Sequence, residues 1–340
     1  AHVASLVNGC FRDENVLVTA FGSVPLRTYL PDGDIDVCLL GPHDVLSSGP
    51  LKHPGKEDWT HRLRTHIERA EAEAAARRRR RASERDEGYA SDDRSSGSGS
   101  GDDASSSSSS SRASASSDAS HASGSDTEFA VSEIHVIHAE VKLMKCIADG
   151  VVVDISANQF GGLATLGFLE EVDAFIARDG IFKRSIILIK AWGFYEGRVL
   201  GAHHALISTY ALETLVLYVL NAYHEELSTP LEVLHKFLTY FADFEWDAYA
   251  VSIHGPVRLD ALEKGVRDAD APARGPLLTP AFTKRVLDKY GNDAIINAEK
   301  GQAGPGGGGN RRAMQPQHLN VIDPLLPSNN LGRSVSQGNA

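Results

Sequence analysis

The sequence predicts an α+β fold, in which a mixed β-sheet comes first and a block of α-helices follows. Runs that alternate in polarity or are rich in β-branched residues are typical of strands, and they fall at residues 16–20, 35–40, 132–142 and 151–155. From Leu163 onward apolar residues recur with helical spacing, which predicts helices over residues 166–177, 185–195, 208–223, 230–241 and 280–290. Strands that precede helices, rather than alternating with them, indicate an α+β order. We expect the change near Gly161 and Gly162 to be a domain boundary.

The composition is that of a globular protein. The 340 residues are 42% hydrophobic, enough for one large domain or two ordinary ones. Three cysteines, far apart and odd in number, argue against a disulfide scaffold or a zinc cluster and suit a reducing compartment. The longest apolar stretch, residues 205–223, contains Glu213 and predicts a buried helix, so we expect no membrane contact. No signal peptide is visible and the chain does not begin with Met, so we expect a nuclear or cytoplasmic protein whose native N-terminus lies upstream.

One internal stretch, residues 83–128, has the composition of a disordered insertion. It consists mainly of Ser, Gly, Ala and Asp, and its ten acidic residues against three arginines contribute −7 to the formal charge of −11. Such a segment cannot repay an ordering entropy of roughly 1–2 kcal/mol per residue. The preceding residues, 57–82, are predicted to be helical and end in the basic run Arg77–Arg81. That run is either a solvated helix end or a nuclear address or RNA-contacting patch.

Two aspartates on one predicted strand carry the densest chemical signal. Asp34 and Asp36 are two residues apart, so their carboxylates point to the same face of the strand. Parallel carboxylates repel each other unless a cation lies between them, and hard oxygen ligands suit Mg²⁺. Gly22 and Ser23 end the strand just upstream, where backbone N–H groups and a hydroxyl can hold phosphates. Aspartates at strand ends are often only solvated, which is the alternative interpretation.

A third carboxylate is expected on a neighbouring strand. Asp154 stands alone inside an apolar strand, where a charge is costly unless it is protonated, paired or bound to a metal. The long insertion before it is tolerable, because the entropy of loop closure grows only with the logarithm of loop length.

These motifs resemble those of the DNA polymerase β-like nucleotidyltransferases. Gly-Ser, then Asp-x-Asp, then a later strand Asp is the signature of that superfamily. More narrowly, the sequence resembles the noncanonical poly(A)/poly(U) RNA polymerases, in a branch common in plants and green algae. The segments that carry the resemblance span nearly the whole chain outside the Ser-rich stretch: residues 21–37, 134–162, 188–192, 206–213, 322–324 and 329–335.

The resemblance implies two domains with an NTP-binding cleft between them. A polymerase β-like nucleotidyltransferase domain with a mixed sheet is expected over residues 16–160, including the insertion at 83–128. A helical PAP/OAS1-like central domain is expected over residues 161–340, with a nucleotide-recognition loop at 318–335. Residues 1–15 are expected to be a helix fragment that belongs to the central domain.

The implied activity is template-independent transfer of AMP or UMP from an NTP to an RNA 3′ end. The resemblance implies two Mg²⁺ ions, with Mn²⁺ as a substitute, bound by Asp34, Asp36 and Asp154. Lys190 is assigned to the triphosphate, although it also fits a surface lysine on an apolar helix. Where relatives often carry a second lysine four residues on, this chain has Phe194, and Arg198 or Lys183 are the candidate replacements.

Further candidate nucleotide-binding residues lie just after the third carboxylate and at the start of a later helix. Asn158 and Gln159 are expected to bond the ribose hydroxyls, or to form a plain turn. Thr209 and Tyr210 open a predicted helix, where the hydroxyl of Thr209 would contact a phosphate and the ring of Tyr210 would stack on the base. The alternative is an ordinary helix start with a core tyrosine.

The loop at 318–335 supplies the last candidates. Asp323, Asn330 and Arg333 either reach the edge of the base or cap the loop. No classical RNA-recognition motif is visible, so we expect target choice to come from an RNA-binding partner or from flanking sequence. Two other functions remain open: an inactive relative that acts as a scaffold for RNA or partners, and an enzyme that modifies a small molecule.

Overall fold

The computed structural model describes residues 2–46, 58–92, 130–138, 141–263, 275–291 and 314–339. Most of the predicted disordered insertion, residues 93–128, lies outside these ranges. Within the described part of the chain, no helix is both long enough and apolar enough to cross a bilayer.

A five-stranded mixed sheet forms the N-terminal half of the fold. Its strands are β1 (Leu17–Phe21), β2 (Ile35–Leu40), β3 (Val131–Ile137), β4 (Leu143–Ala148) and β5 (Val151–Ala157). They lie in the order β1-β2-β5-β4-β3, and every neighbouring pair is antiparallel except β2 and β5, which are parallel. The chain between β2 and β5 includes two helices, α3 (His43–Leu46) and α4 (Trp59–Asp92), while α2 (Ser23–Leu26) follows β1.

The pleat of β2 and β5 gives the sheet one apolar face. Val37 and Leu39 on β2, and Val153 and Ile155 on β5, are buried in one core with the first turns of α4. Because successive side chains of a strand point to opposite faces, the residues between these four point to the other face of the sheet. That second face meets the helical half of the chain.

The N-terminal helix packs on the sheet, which differs from the predicted assignment of residues 1–15. Helix α1 (His2–Cys10) buries Val7 in the core of the sheet together with Phe11 and Trp59. The apolar side chains of α1 meet α4 rather than the helical half, so this helix is structurally part of the sheet half.

In the described residues, the helical half contains six α-helices of different lengths and a small hairpin. They are α5 (Phe160–Ile176), α6 (Ile181–Ala191), α7 (Thr209–Tyr223), α8 (Pro230–Ala242), β6 (Tyr249–Ser252), β7 (Gly255–Arg258), α9 (Leu259–Glu263) and α10 (Pro280–Tyr290). A π-helical turn, Trp192–Glu196, continues α6. Helix α7 is the central element, since its side chains from Ala211 to Asn221 are all buried.

Capping side chains explain where several of these helices begin. The Ser208 hydroxyl accepts the N–H of Ala211 at the start of α7, and Thr229 forms a capping box with Glu232 at the start of α8. Thr279 caps α10, and Pro280 occupies its first turn. The predicted starts of these helices agree with the structure because caps are local signals.

Several predicted boundaries are wrong. Helix α4 continues to Asp92, ten residues into the stretch expected to be disordered. The single strand expected over residues 132–142 ends at Ile137, and β4 follows as a separate strand. The sequence reasoning also missed the β6–β7 hairpin, which pairs with the C-terminal loop through a bridge between Val251 and Val321.

Candidate active site

Three carboxylates converge on the face of the sheet that meets the helical half. Asp36 on β2 and Asp154 on β5 are directly paired in the parallel register, and Asp34 lies just before β2. One oxygen from each carboxylate lies within 4.8 Å of the others. The parallel pairing of β2 and β5 therefore brings together residues that are 118 positions apart.

Burial and mutual repulsion perturb this cluster. The pKa of Asp36 is raised from 3.8 to about 6, first by burial and then by the charges of Asp34 and Asp154. Lys190 and Lys145 act in the opposite direction. The cluster is therefore short of positive charge.

The donor set fits a divalent cation. Among the described residues, no well-aligned hydrogen bond reaches the buried oxygen Oδ1 of Asp154, which is compensated by an ion pair with Nζ of Lys145 at 3.0 Å. Lys145 is the residue paired with Asp154 on β4, so it shares the same face of the sheet. Three clustered carboxylates, for which the described residues supply lysine ammonium groups as compensation, offer the hard oxygen ligands that Mg²⁺ or Mn²⁺ takes.

The turn after β1 requires glycine. Gly22 has φ +71°, and a Cβ added there would lie 2.3 Å from Oδ2 of Asp36. The bare backbone of Gly22 therefore lets the turn approach the carboxylate, and it leads into Ser23 at the first position of α2.

A cavity of about 440 Å³ opens beside the carboxylates, between the sheet half and the helical half. The sheet half contributes Gly22, Ser23, Asp34 and Asp36 to its lining, and the helical half contributes Lys190, Thr209, Tyr210, Glu213 and Asp323. The sequence predicted all of these as site residues except Glu213. This volume is in the range of small-molecule sites.

Lys190 and Glu213 place opposite charges in the cavity. Nζ of Lys190 donates to the carbonyl oxygen of Thr28 at 3.3 Å. Burial lowers its pKa, while Glu213, Asp34 and Asp36 raise it. Glu213 is 5% exposed, and burial raises its pKa from 4.5 to about 7, with Lys190 as the opposing charge. Glu213 was recognised in the sequence only as a polar residue inside an apolar helix. The pair could have been predicted from the sequence, because Glu213 and Lys190 are each a charged residue in an otherwise apolar helix.

Tyr210 and Asp323 are linked across the cavity wall. The hydroxyl of Tyr210 donates to Oδ1 of Asp323 at 3.1 Å, and burial raises the pKa of this tyrosine well above its usual value. The carboxylate of Asp323 also accepts the N–H of Leu325 and the amide of Asn329. Burial raises its pKa, whereas these donors lower it.

Asn158 and Gln159 do not line the cavity. Oδ1 of Asn158 accepts the N–H of Gly41 at 3.1 Å, and the backbone N–H of Gln159 donates to the sulfur of Cys38. Asn158 has φ +53°, a left-handed conformation that asparagine tolerates. Both residues therefore shape the turn between β5 and α5, as the plain-turn alternative expected.

Asn330 and Arg333 also lie outside the cavity lining. Oδ1 of Asn330 accepts from Val321 and Gly332, and the residue is buried. The guanidinium of Arg333 donates to Oδ1 of Asn329 at 2.6 Å. Asn330 thus holds the C-terminal loop together, while Asn329, which the sequence reasoning missed, lines the cavity.

The two candidate replacements for the second lysine do not line the cavity either. Lys183 is held by Glu170 at 2.8 Å and by Asp173 at 3.3 Å. Arg198, at φ +50°, follows the π-helical turn.

Residues 176–340 match the PAP/OAS1 substrate-binding domain family. The matched residues, just under half of the chain, cover most of the helical half. No curated protein is significantly similar to the chain in sequence. This match agrees with the helical part of the resemblance inferred from the motifs, and the solved structures share the fold.

The solved structures agree over the whole chain. The Cid1 poly(U) polymerase superposes with a TM-score of 0.53 at 14% identity, over 99% of this chain and 80% of that one. A cytoplasmic RNA terminal U-transferase gives 0.52 at 14% identity with the same coverage. The polymerase core of TRAMP, an RNA surveillance complex, gives 0.51 at 13% identity over 99% of this chain and 72% of that chain. The predicted combination of a polymerase β-like mixed sheet with a helical PAP/OAS1-like half is therefore confirmed as the fold.

Proposed function

We propose that this protein is a template-independent RNA 3′-terminal nucleotidyltransferase, which adds AMP or UMP from the corresponding NTP. The observation that carries the proposal is the convergence of Asp34, Asp36 and Asp154 at the edge of a nucleotide-sized cavity. The likeness in fold to a poly(U) polymerase and to the polymerase core of an RNA surveillance complex supports the same reading.

The three carboxylates would hold two divalent cations. Mg²⁺ suits their hard oxygens, with Mn²⁺ as a substitute. When bound, the metal ions would acidify the primer hydroxyl and neutralise the charge on the phosphates. The carboxylates themselves hold the site in place, because β2 and β5 fix Asp36 and Asp154 side by side.

Residues of the cavity wall would bind the triphosphate. The N–H groups of the turn at Gly22 and Ser23 and the hydroxyl of Thr209 are hydrogen-bond donors on the lining. Lys190 adds a positive charge close to Asp34 and Asp36. Tyr210 would stack on the base through its ring, while its hydroxyl bonds Asp323 at the cavity wall.

The reaction forms one P–O bond and breaks another. The oxygen of the primer 3′ hydroxyl attacks the α-phosphorus of the NTP. The bond from that phosphorus to the oxygen that bridges to the β-phosphate breaks, and pyrophosphate leaves with its electrons. Asp154 would orient the hydroxyl and accept its proton, with the ammonium of Lys145, 3.0 Å from its oxygen Oδ1, as the neighbouring charge.

The two other functions are weaker on specific grounds. An inactive scaffold has no need to keep three repelling carboxylates together, with the pKa of Asp36 raised to about 6. An enzyme for a small acceptor has no need for a domain of the PAP/OAS1 type. We further propose that an RNA-binding partner directs the enzyme to its targets.

Incubation of the protein with Mg²⁺, a short RNA oligomer and each NTP in turn tests the proposal. We expect RNA ladders with ATP or UTP and none after chelation of the metal. Modification of a small acceptor instead of RNA would favour the small-molecule enzyme, and no reaction with any acceptor would favour the scaffold.

Substitution of the carboxylates provides the matched test. Asp34→Asn, Asp36→Asn and Asp154→Asn should each abolish extension while the melting temperature stays the same or rises, because a repelling charge is removed. Asp179→Asn is the control, since the side chain of Asp179 is 95% exposed at a helix junction. A carboxylate variant that extends RNA at the wild-type rate would contradict the metal assignment.

A further inference from the structure

Three aromatic side chains stand exposed around the loop that leads into the carboxylates. Tyr29 is 54% exposed, Phe194 48% and Tyr195 46%. Large aromatic rings left half in water carry apolar area that the fold does not bury. We refer to Tyr29, Phe194 and Tyr195 as the rim aromatics.

Direct contacts join Tyr195 to the carboxylate loop and Phe194 to Tyr195. The hydroxyl of Tyr195 donates to Oδ1 of Asp32 at 2.5 Å, two residues before Asp34. The rings of Phe194 and Tyr195 meet edge to face, with centroids 5.1 Å apart. Both belong to the π-helical turn that continues α6 just after Lys190, and Lys190 itself bonds the carbonyl of Thr28. Tyr29 follows Thr28 on the same loop.

The rim aromatics lie outside the cavity that we assign to the nucleotide. None of the three is among its lining residues, whereas Lys190, one turn before Phe194, is. A phenylalanine offers no charge to a triphosphate. These rings therefore suit a second ligand that approaches the carboxylates from outside the nucleotide cavity.

The negative charge of the chain favours base stacking over charge attraction as the way in which the protein binds RNA. With a formal charge of −11, the protein as a whole repels a polyanion. Stacking of bases on aromatic rings provides affinity that does not depend on net charge and has little sequence preference.

We propose that Phe194 and Tyr195, together with Tyr29, form the stacking platform for the last bases of the RNA primer. The proposal rests on the function proposed above and adds to it the residues that hold the acceptor strand. The hydrogen bond from Tyr195 to Asp32 ties the platform to the carboxylate loop, so that a stacked 3′ end is held in register with Asp34 and Asp154.

RNA binding can be measured without catalysis, by fluorescence anisotropy of a labelled oligomer in the absence of metal. Phe194→Ala should weaken binding by about five- to 150-fold, the range that stacking of one base supplies. Phe194→Trp should bind as tightly as the wild type, because the ring is kept. Leu231→Ala is the control, since Leu231 is 69% exposed on α8 and should leave binding unchanged.

The two tyrosine variants separate the ring from the hydrogen bond. Tyr195→Phe should retain the affinity for RNA, whereas Tyr195→Ala should lose it. Equal losses in both variants would mean that the bond to Asp32, and not stacking, is what matters, and would overturn the platform.

An oligomer with an abasic site near its 3′ end shows whether a base is the partner. The wild type should bind it more weakly than the intact oligomer, while Phe194→Ala should bind the two equally, because the lost contact is the same. Additive losses would overturn the proposal. In steady-state extension, Phe194→Ala should raise the KM for RNA and leave the KM for NTP unchanged; the reverse pattern would move Phe194 to the triphosphate and also overturn it.

The wild-type result separates this inference from the function on which it depends. If the wild type extends RNA and Phe194→Ala has the same KM for RNA, the platform is wrong and the proposed function stands. If the wild type neither extends nor binds RNA with any NTP present, both fall.

Discussion

Replacement of the buried Glu213 by glutamine tests the electrostatics of the cavity. Glutamine has nearly the shape of glutamate and no charge, so Glu213→Gln removes the titration and keeps the packing. Glu213 is 5% exposed, on the helix at the centre of the helical half. Burial raises the pKa of its carboxyl from 4.5 to about 7, despite the charge of Lys190.

The direction of the effect follows from the raised pKa. Between pH 4.5 and about 7 the folded chain keeps the proton on Glu213, while the unfolded chain loses it. The stabilisation is therefore complete below pH 4.5 and is lost as the pH rises through about 7. Since a tenfold change in proton affinity corresponds to about 1.4 kcal/mol, the loss amounts to about 3 kcal/mol. We expect Glu213→Gln to match the wild type at low pH and to exceed its free energy of unfolding by about 3 kcal/mol above pH 7.

Urea unfolding of both proteins across this pH range, in the presence of a chelator, measures the difference. The two chains share every other titrating residue, so the difference reports Glu213 together with its effect on Lys190. Glu232→Gln is a control of opposite sign, since the hydrogen bonds of the capping box lower the pKa of Glu232 and its charge stabilises the fold at higher pH. A difference for Glu213→Gln that is flat with pH, or that falls as the pH rises, would refute the reasoning.

Two further substitutions test the base contact and the phosphate turn. Tyr210→Phe should keep the KM for NTP, since Asp323 retains backbone donors, whereas Tyr210→Ala should raise it about five- to 150-fold; a lower melting temperature with an unchanged KM would remove Tyr210 from the site. Gly22→Ala should lower kcat by about 100-fold, because its Cβ would displace the carboxylate of Asp36. Gly180→Ala, at φ +66° with nothing within 4 Å, introduces only backbone strain and should keep kcat; equal losses in both glycine variants would contradict a role of Gly22 in the site.

Local signals explain the parts of the site that could be predicted from the sequence. Asp34 and Asp36 share a face because a strand repeats every two residues, and that spacing is visible in the sequence. The cap at Ser208 likewise specifies where α7 begins, and this puts Thr209 and Tyr210 in the first turn, on the cavity wall.

Strand β4 could not be predicted from local sequence signals. Its six residues include Met144, Lys145 and Cys146, none of which is typical of strands, so the sequence reasoning missed it. The strand forms because it pairs with both β3 and β5, and these pairings are tertiary contacts. Lys145 reaches Asp154 only as a result.

The sequence by itself determined the fold class, the carboxylate pair with its third member, the glycine turn and the starts of the main helices, because these depend on spacing and on neighbouring residues. Only the tertiary structure decided which polar residues face the cavity. It turned Asn158 and Asn330 toward backbone groups and brought Glu213 to Lys190. The physical reason is that a buried polar side chain is satisfied by whichever donors and charges surround it after packing, and those partners come from distant parts of the chain.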